Sequence, residues 1–139
     1  MHELKIFGSE EKPCFTVPDT KAASRNPTQF VSIQVTDASS REIMWDASVL
    51  ESPFMVTVDR CLTYGSSPYK ANVYQDPKAL VENHLYEVSV NSDIIIKGEK
   101  KNRKYKDWFY FAQHNDGSII IRDSNDANGE LDPRIRTEH

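Results

Sequence analysis

No window of this chain approaches the ~18 consecutive apolar residues that a membrane-spanning helix needs. Nor does the start, Met1-His2-Glu3-Leu4, carry the basic and then apolar regions of a signal peptide. Cysteine is scarce, with two in 139 residues, at Cys14 and Cys61. They form no C-x-x-C pair, and no histidine stands at a zinc-ligand spacing from either, which excludes the common structural zinc sites. Apolar residues reach only 38%, less than most globular chains carry, which favours a thin sandwich or barrel over a large core. A strong basic excess is also missing. The formal net charge is −4 and the pI about 5.5, which argues against general nucleic-acid binding. There is no repeat, linker or low-complexity segment, so one domain is expected.

Catalytic motifs are equally sparse. There is no G-x-S-x-G. Of the four histidines, His2 and His139 are terminal, His114 adjoins a turn and His84 precedes a strand-like run. None has a spacing that pairs it with a nucleophile, so no catalytic residue is assigned and the chain reads as a non-enzyme. The acidic run from Asp123 to Glu130 looks like a calcium loop until it is registered. Placing Gly129 at the obligatory glycine position puts Ser124 first and Ile135 last, where carboxylates are required. No metal and no cofactor are expected.

What is present is period-two alternation. Val31, Ile33 and Val35 alternate with Ser32 and Gln34. Phe54, Val56 and Val58 alternate with Met55, Thr57 and Asp59, and Tyr86, Val88 and Val90 with Glu87 and Ser89. These are half-buried strands with one wet face. Shorter runs at 4–7, 14–17, 42–46, 70–75, 93–97, 108–113 and 118–123 are rich in β-branched and aromatic residues. Asn115-Asp116-Gly117 is a hairpin turn signal, and the seven prolines all fall between strand candidates. Only Pro77 to Asn83 resembles a helical turn. The pattern predicts an all-β fold, an Ig-like β-sandwich of eight to ten short, mostly antiparallel strands over residues 1–123, with a polar tail at 124–139.

Lys97 to Lys106 holds six cations against one carboxylate, Glu99. It reads as a solvated hairpin loop. Its functional readings are contact with anionic lipid headgroups or with an acidic protein patch. The neighbouring Trp108 to Phe111 reads as buried strand rather than as a base-stacking platform. The cysteines by themselves allow two buried thiols in a reducing compartment or one disulfide in an oxidising one.

Two segments carry a resemblance. Pro13-Cys14-Phe15-Thr16-Val17-Pro18 resembles the opening of small enterobacterial periplasmic lipoproteins that act as type VI secretion immunity proteins. Cys61-Leu62-Thr63-Tyr64-Gly65 is similar to their second cysteine segment. In layout the resemblance spans about residues 13–122. It implies a β-sandwich in the periplasm, anchored at the outer membrane through a lipidated cysteine upstream of Met1. It also implies a cognate toxic effector as partner, with a phospholipase as the effector class, and a Cys14–Cys61 disulfide. Inhibition would come from loops that occlude the effector's active site. Loop position nominates Arg25, Ser39, Ser40, Arg41, Leu50, Tyr64 and Tyr69 as partner-binding residues. The alternative is an extracellular or periplasmic adhesion or ligand-binding sandwich. A small hydrolase, with a histidine in reach of a serine or cysteine, is the third class.

Overall fold

A computed structural model describes residues 4–9, 12–17, 28–48, 54–57, 60–66, 72–81, 84–113 and 119–123. Among them are ten strands: β1 (Lys5–Ser9), β2 (Lys12–Thr16), β3 (Thr28–Asp37), β4 (Ile43–Ser48), β5 (Phe54–Val56), β6 (Leu62–Thr63), β7 (Asn72–Gln75), β8 (Tyr86–Ile96), β9 (Glu99–Gln113) and β10 (Ile119–Asp123). All pairings between them are antiparallel. The fold is the β-sandwich that the alternation predicted.

The strands follow one hydrogen-bonded path, β6-β2-β1-β10-β9-β8-β3-β4-β7, with β5 beside the start of β3. Among the described residues, the ladder between β1 and β10 is one pair, Ser9 with Ile120. That junction divides the path into a three-stranded sheet, β6-β2-β1, and a six-stranded one, β10-β9-β8-β3-β4-β7. The two sheets meet through Phe15 on β2 and Phe109 on β9, both fully buried, with ring centroids 5.6 Å apart edge to face. Tyr86 on β8 lies 5.5 Å from Phe109 on its other side. Trp45, Val35, Val88 and Val90 complete the inner face. A buried carboxylate ties the N-terminal segment to the larger sheet, since Asp107 accepts from the backbone N–H of Leu4 at 3.2 Å.

Three expectations need correction. The runs at 86–90 and 93–97 are one strand, β8, because Ser92 turns inward and donates to the carbonyl of Arg103 at 2.7 Å, so a polar residue continues the buried row. The alternation of Val31 with Ile33 is broken by an irregularity between Phe30 and Ser32. Phe30 goes into the core and Val31 is half-buried. A bulge of this kind shifts the face of every residue before it. Pro77 to Val81 form no helix, because the Val81 N–H, which a helix would direct to the Pro77 carbonyl, donates at 2.8 Å to the Tyr86 hydroxyl. The turn at Asn115-Asp116-Gly117 and the 124–139 tail lie outside the described residues. The strands flanking that turn do pair, Gln113 with Ile119.

The largest correction concerns the basic run, which is strand and not loop. Pairing between β8 and β9 continues without a break from Tyr86–Phe109 to Ile96–Glu99, leaving only Lys97 and Gly98 to turn. Both have positive φ, 51° and 78°, the type I′ geometry that fits the right-handed twist of a ribbon. The Ile94-Ile95-Ile96 row is what extends the pairing, since β-branched residues need a partner strand to cover them. Lys101 stands opposite Ile94 and Lys100 opposite Ile95.

Candidate functional site

Two ends of the larger sheet carry the polar chemistry. At the first, Asp37 closes β3 and heads the turn Ala38-Ser39-Ser40-Arg41. Its Oδ1 accepts from the Ser39 N–H at 2.9 Å, the Ser39 hydroxyl at 2.9 Å and the Ser40 N–H at 3.1 Å. Its Oδ2 lies 3.2 Å from Nδ1 of His84. Burial pushes the Asp37 carboxyl upward, but the hydrogen bonds from Ser40, His84 and Ser39 outweigh it and hold the group below its ordinary value of 3.8. His84, about half exposed, stacks on Tyr86 at 6.3 Å. Burial, set against a bond from the Val81 N–H, raises the phenol of Tyr86.

This cluster holds a histidine, a carboxylate and a serine, yet it is not wired as a hydrolase. Ser39 Oγ donates to the carboxylate and not to His84. Among the described residues no serine or cysteine hydrogen-bonds His84. The arrangement is a turn lock: an Asx cap joined to the strand that follows. A carboxylate held below its unfolded value contributes stability above that value and loses it as pH falls through the folded one. Asp37→Asn is therefore expected to unfold more easily than the parent at neutral pH. The gap should close as pH drops below about 3.8. Urea titrations at stepped pH test this, and a gap constant down to strongly acid pH would refute it.

Ser39 and Ser40 thus shape the turn, and Arg41 closes it, donating its backbone N–H to the Asp37 carbonyl at 2.9 Å while its side chain points outward. Arg41 has φ of 67°, uncommon for a side chain larger than asparagine. Its guanidinium is 74% exposed and 3.9 Å from Glu87, too long and too wet to hold it firmly. Tyr64 behaves differently from an accessible turn tyrosine. It is buried, packs edge to face on Trp45 at 5.2 Å, and its hydroxyl lies 2.7 Å from the Lys78 carbonyl and 3.1 Å from that of Met44. Burial is the main cause of its raised pKa. Tyr64 pins the three-stranded sheet to β4 and is not a surface anchor. A depression beside it is lined by Lys12, Gly65, Pro77 and Lys78. Gly65 has φ of 78°, and a Cβ there would meet Pro77 at 3.1 Å, so the turn accepts only glycine without strain. Arg25, Leu50 and Tyr69 lie outside the described residues.

Cys14 and Cys61 form a disulfide with Cα atoms 5.5 Å apart. It joins β2 to the residue before β6, whose own ladder to β2 is two pairs long, Cys14–Thr63 and Phe15–Leu62. The bond secures an edge strand too short to hold itself, and favours an oxidising compartment.

At the opposite end, about 30 Å away along β3 at ~3.3 Å per residue, lies the turn of the β8–β9 ribbon. Among the described residues β3 pairs with β8 as far as Thr28–Ile94, and β8 and β9 pair on to Ile96–Glu99. Lys97, Gly98, Glu99, Lys100 and Lys101 are all exposed. Further back, Lys106 lies 3.3 Å from Glu87 and its ammonium 5.7 Å from the Trp108 ring. Sequence reasoning found these cations but assigned them to a loop, and left them out of the partner-binding set. The signal that could have placed them is the triple isoleucine at 94–96 facing them across a Lys-Gly turn.

Among the described residues, no group of three or more histidine, cysteine, aspartate or glutamate side chains could hold a metal ion, and no helix is long and apolar enough to cross a membrane. No family model, curated protein or solved structure matches the chain.

Proposed function

We propose that this chain is a neutralising module: an immunity protein that binds a toxin delivered to the periplasm by type VI secretion and occludes its active site, with a phospholipase as the toxin class. The observation that carries the reading is the β8–β9 ribbon. It is a hairpin paired without a break as far as Ile96–Glu99, and its exposed end carries Lys97, Lys100 and Lys101 against Glu99 on a protein of net charge −4. A hairpin already held by its ladder loses little conformational freedom on docking, so more of its contact energy appears as affinity. The net positive charge at its tip, three lysines against Glu99, steers it towards an acidic cleft. The disulfide fits the periplasm, and the two cysteine segments supply the resemblance to immunity proteins. The exposed Arg41 turn is a second contact candidate, at the other end of the sheet.

The test is to identify the gene beside this one and, where it encodes a phospholipase, to assay inhibition of that enzyme on phospholipid vesicles. The full chain should abolish activity at equimolar ratio. Lys97→Glu/Lys100→Glu/Lys101→Glu should slow association by roughly 10-fold or more at low salt, with a smaller effect at high salt. Arg41→Glu, at the far end, should change the rate much less. Absence of any inhibition would reject the reading, and inhibition untouched by the triple reversal would move the contact away from the ribbon.

A further inference from the structure

We propose that the outer face of the six-stranded sheet, between Asp46 on β4 and Lys104 on β9, binds an acidic saccharide. The site is independent of the ribbon tip and of toxin neutralisation. The strand register builds it. One row across the sheet reads Asp46, Gln34, Ser89, Lys106, and the next reads Ser32, Asn91, Lys104. At ~4.8 Å between strands the first row is about 14 Å wide. Between the rows lies an open depression of about 350 Å³, floored by the backbone of the buried residues Ile33, Val90 and Tyr105. That is the lower end of the size range for small-ligand sites.

The hydrogen-bonding capacity of this trough is largely unspent. Gln34 Nε2 donates to Asp46 Oδ2 at 3.2 Å, which fixes the carboxylate and leaves Oδ1 open. Asn91 Oδ1 accepts from Asn102 at 2.7 Å, which leaves the Asn91 amide N–H groups free. Among the described residues the hydroxyls of Ser32 and Ser89 make no side-chain hydrogen bond and Lys104 makes no ion pair. Lys106, by contrast, is engaged by Glu87. The result is an alternating set: a carboxylate acceptor at one side, two hydroxyls and an amide in the middle, and one uncommitted ammonium at the other side.

That order selects a ligand class. A row of hydroxyl groups, each both donor and acceptor, satisfies Asp46, Ser32, Ser89 and Asn91 together, and an anionic group at one end meets Lys104. A protein partner would find no aromatic or large apolar anchor here, which such contacts depend on. A nucleic acid would set its phosphates against Asp46. A simple inorganic anion would use Lys104 and leave the remaining groups idle.

The experiment titrates the ¹⁵N-labelled full chain with 3′-sialyllactose, which carries one carboxylate at one end, with lactose as the uncharged counterpart and inorganic phosphate as the simple anion. 3′-Sialyllactose should shift the amides of Ser32, Gln34, Ser89 and Asn91 saturably. Lys104→Gln, an exposed change that leaves the core untouched, should weaken binding about 10-fold, the size of one charge-assisted hydrogen bond. Lactose should bind weaker than 3′-sialyllactose by a similar factor. The proposal is overturned if no saturable shift appears. It is equally overturned if the shifts centre on Lys97 to Lys101, if phosphate reproduces them at the same concentration, or if Lys104→Gln leaves the affinity unchanged.

Discussion

Reducing the Cys14–Cys61 bond, or replacing both residues with serine, is expected to lower stability by about 4 kcal/mol. The two cysteines are 47 positions apart, and in the chain-entropy treatment a loop of that length accounts for a loss of this size. The site adds a local reason. β6 has two residues and a two-pair ladder, so without the covalent tie it has little to keep it on β2. Its release would also withdraw Tyr64, whose hydroxyl reaches the carbonyls of Met44 and Lys78. The Thr63 hydroxyl, 3.4 Å from Cys14 Sγ, would go with it. Urea unfolding of the oxidised chain, the reduced chain and the double serine variant measures the effect. With urea slopes of ~1–3 kcal/mol per molar, the midpoint should fall by roughly 1–4 M. Equal midpoints for oxidised and reduced protein would show that the bond closes a loop the unfolded chain already keeps closed.

The same edge shows how far the sequence could be read. Long alternating runs were legible because one period-two face must be apolar when the other is wet. Val88 and Val90 are buried on that account, and so are Ile33 and Val35. β6 was invisible, since two residues, Leu62 and Thr63, carry no period. Loop position nominates Tyr64 as a partner-binding residue, yet it is buried. What buries it is Trp45 and the segment at Lys78, both distant in sequence, and no local pattern reports a contact of that range. Cations misled in the opposite direction. Lys100 and Lys101 are solvated, yet they are strand residues because Ile94 and Ile95 face them. Polarity is a good guide to exposure and a poor one to backbone state when a neighbouring strand supplies the pairing. The trough between Asp46 and Lys104 was beyond sequence reasoning for another reason. Its residues come from four strands and meet only through a register that the irregularity at Phe30–Ser32 helps to set.

Truncating Phe109 is expected to be at least as damaging as losing the disulfide, at about 3–5 kcal/mol for Phe109→Ala. The ring is fully buried between Phe15 of the smaller sheet and Tyr86 of the larger, with centroids at 5.6 and 5.5 Å. Its loss would open a cavity where the two sheets meet, and flat sheets cannot collapse into such a gap as readily as a loop can. If Phe109 and Phe15 act as one contact, removing both should cost less than the sum of the single changes, by roughly 0.5–3 kcal/mol. Strict additivity in urea unfolding would mean that each ring packs against its own sheet. Should Phe109→Ala fail to fold, Phe109→Leu keeps the measurement possible with a smaller gap. That variant also separates scaffold from recognition. Phe109 pairs with Tyr86, at the far end of the β8–β9 ladder from Lys97, and the ribbon tip holds its shape through its own ladder. A folded Phe109→Leu protein should therefore melt earlier and still inhibit its partner at full strength. The Lys97, Lys100 and Lys101 reversal should do the reverse, with stability unchanged and inhibition slowed. A parallel loss of both properties in either variant would place the contact on the body of the sandwich and not on the β8–β9 turn.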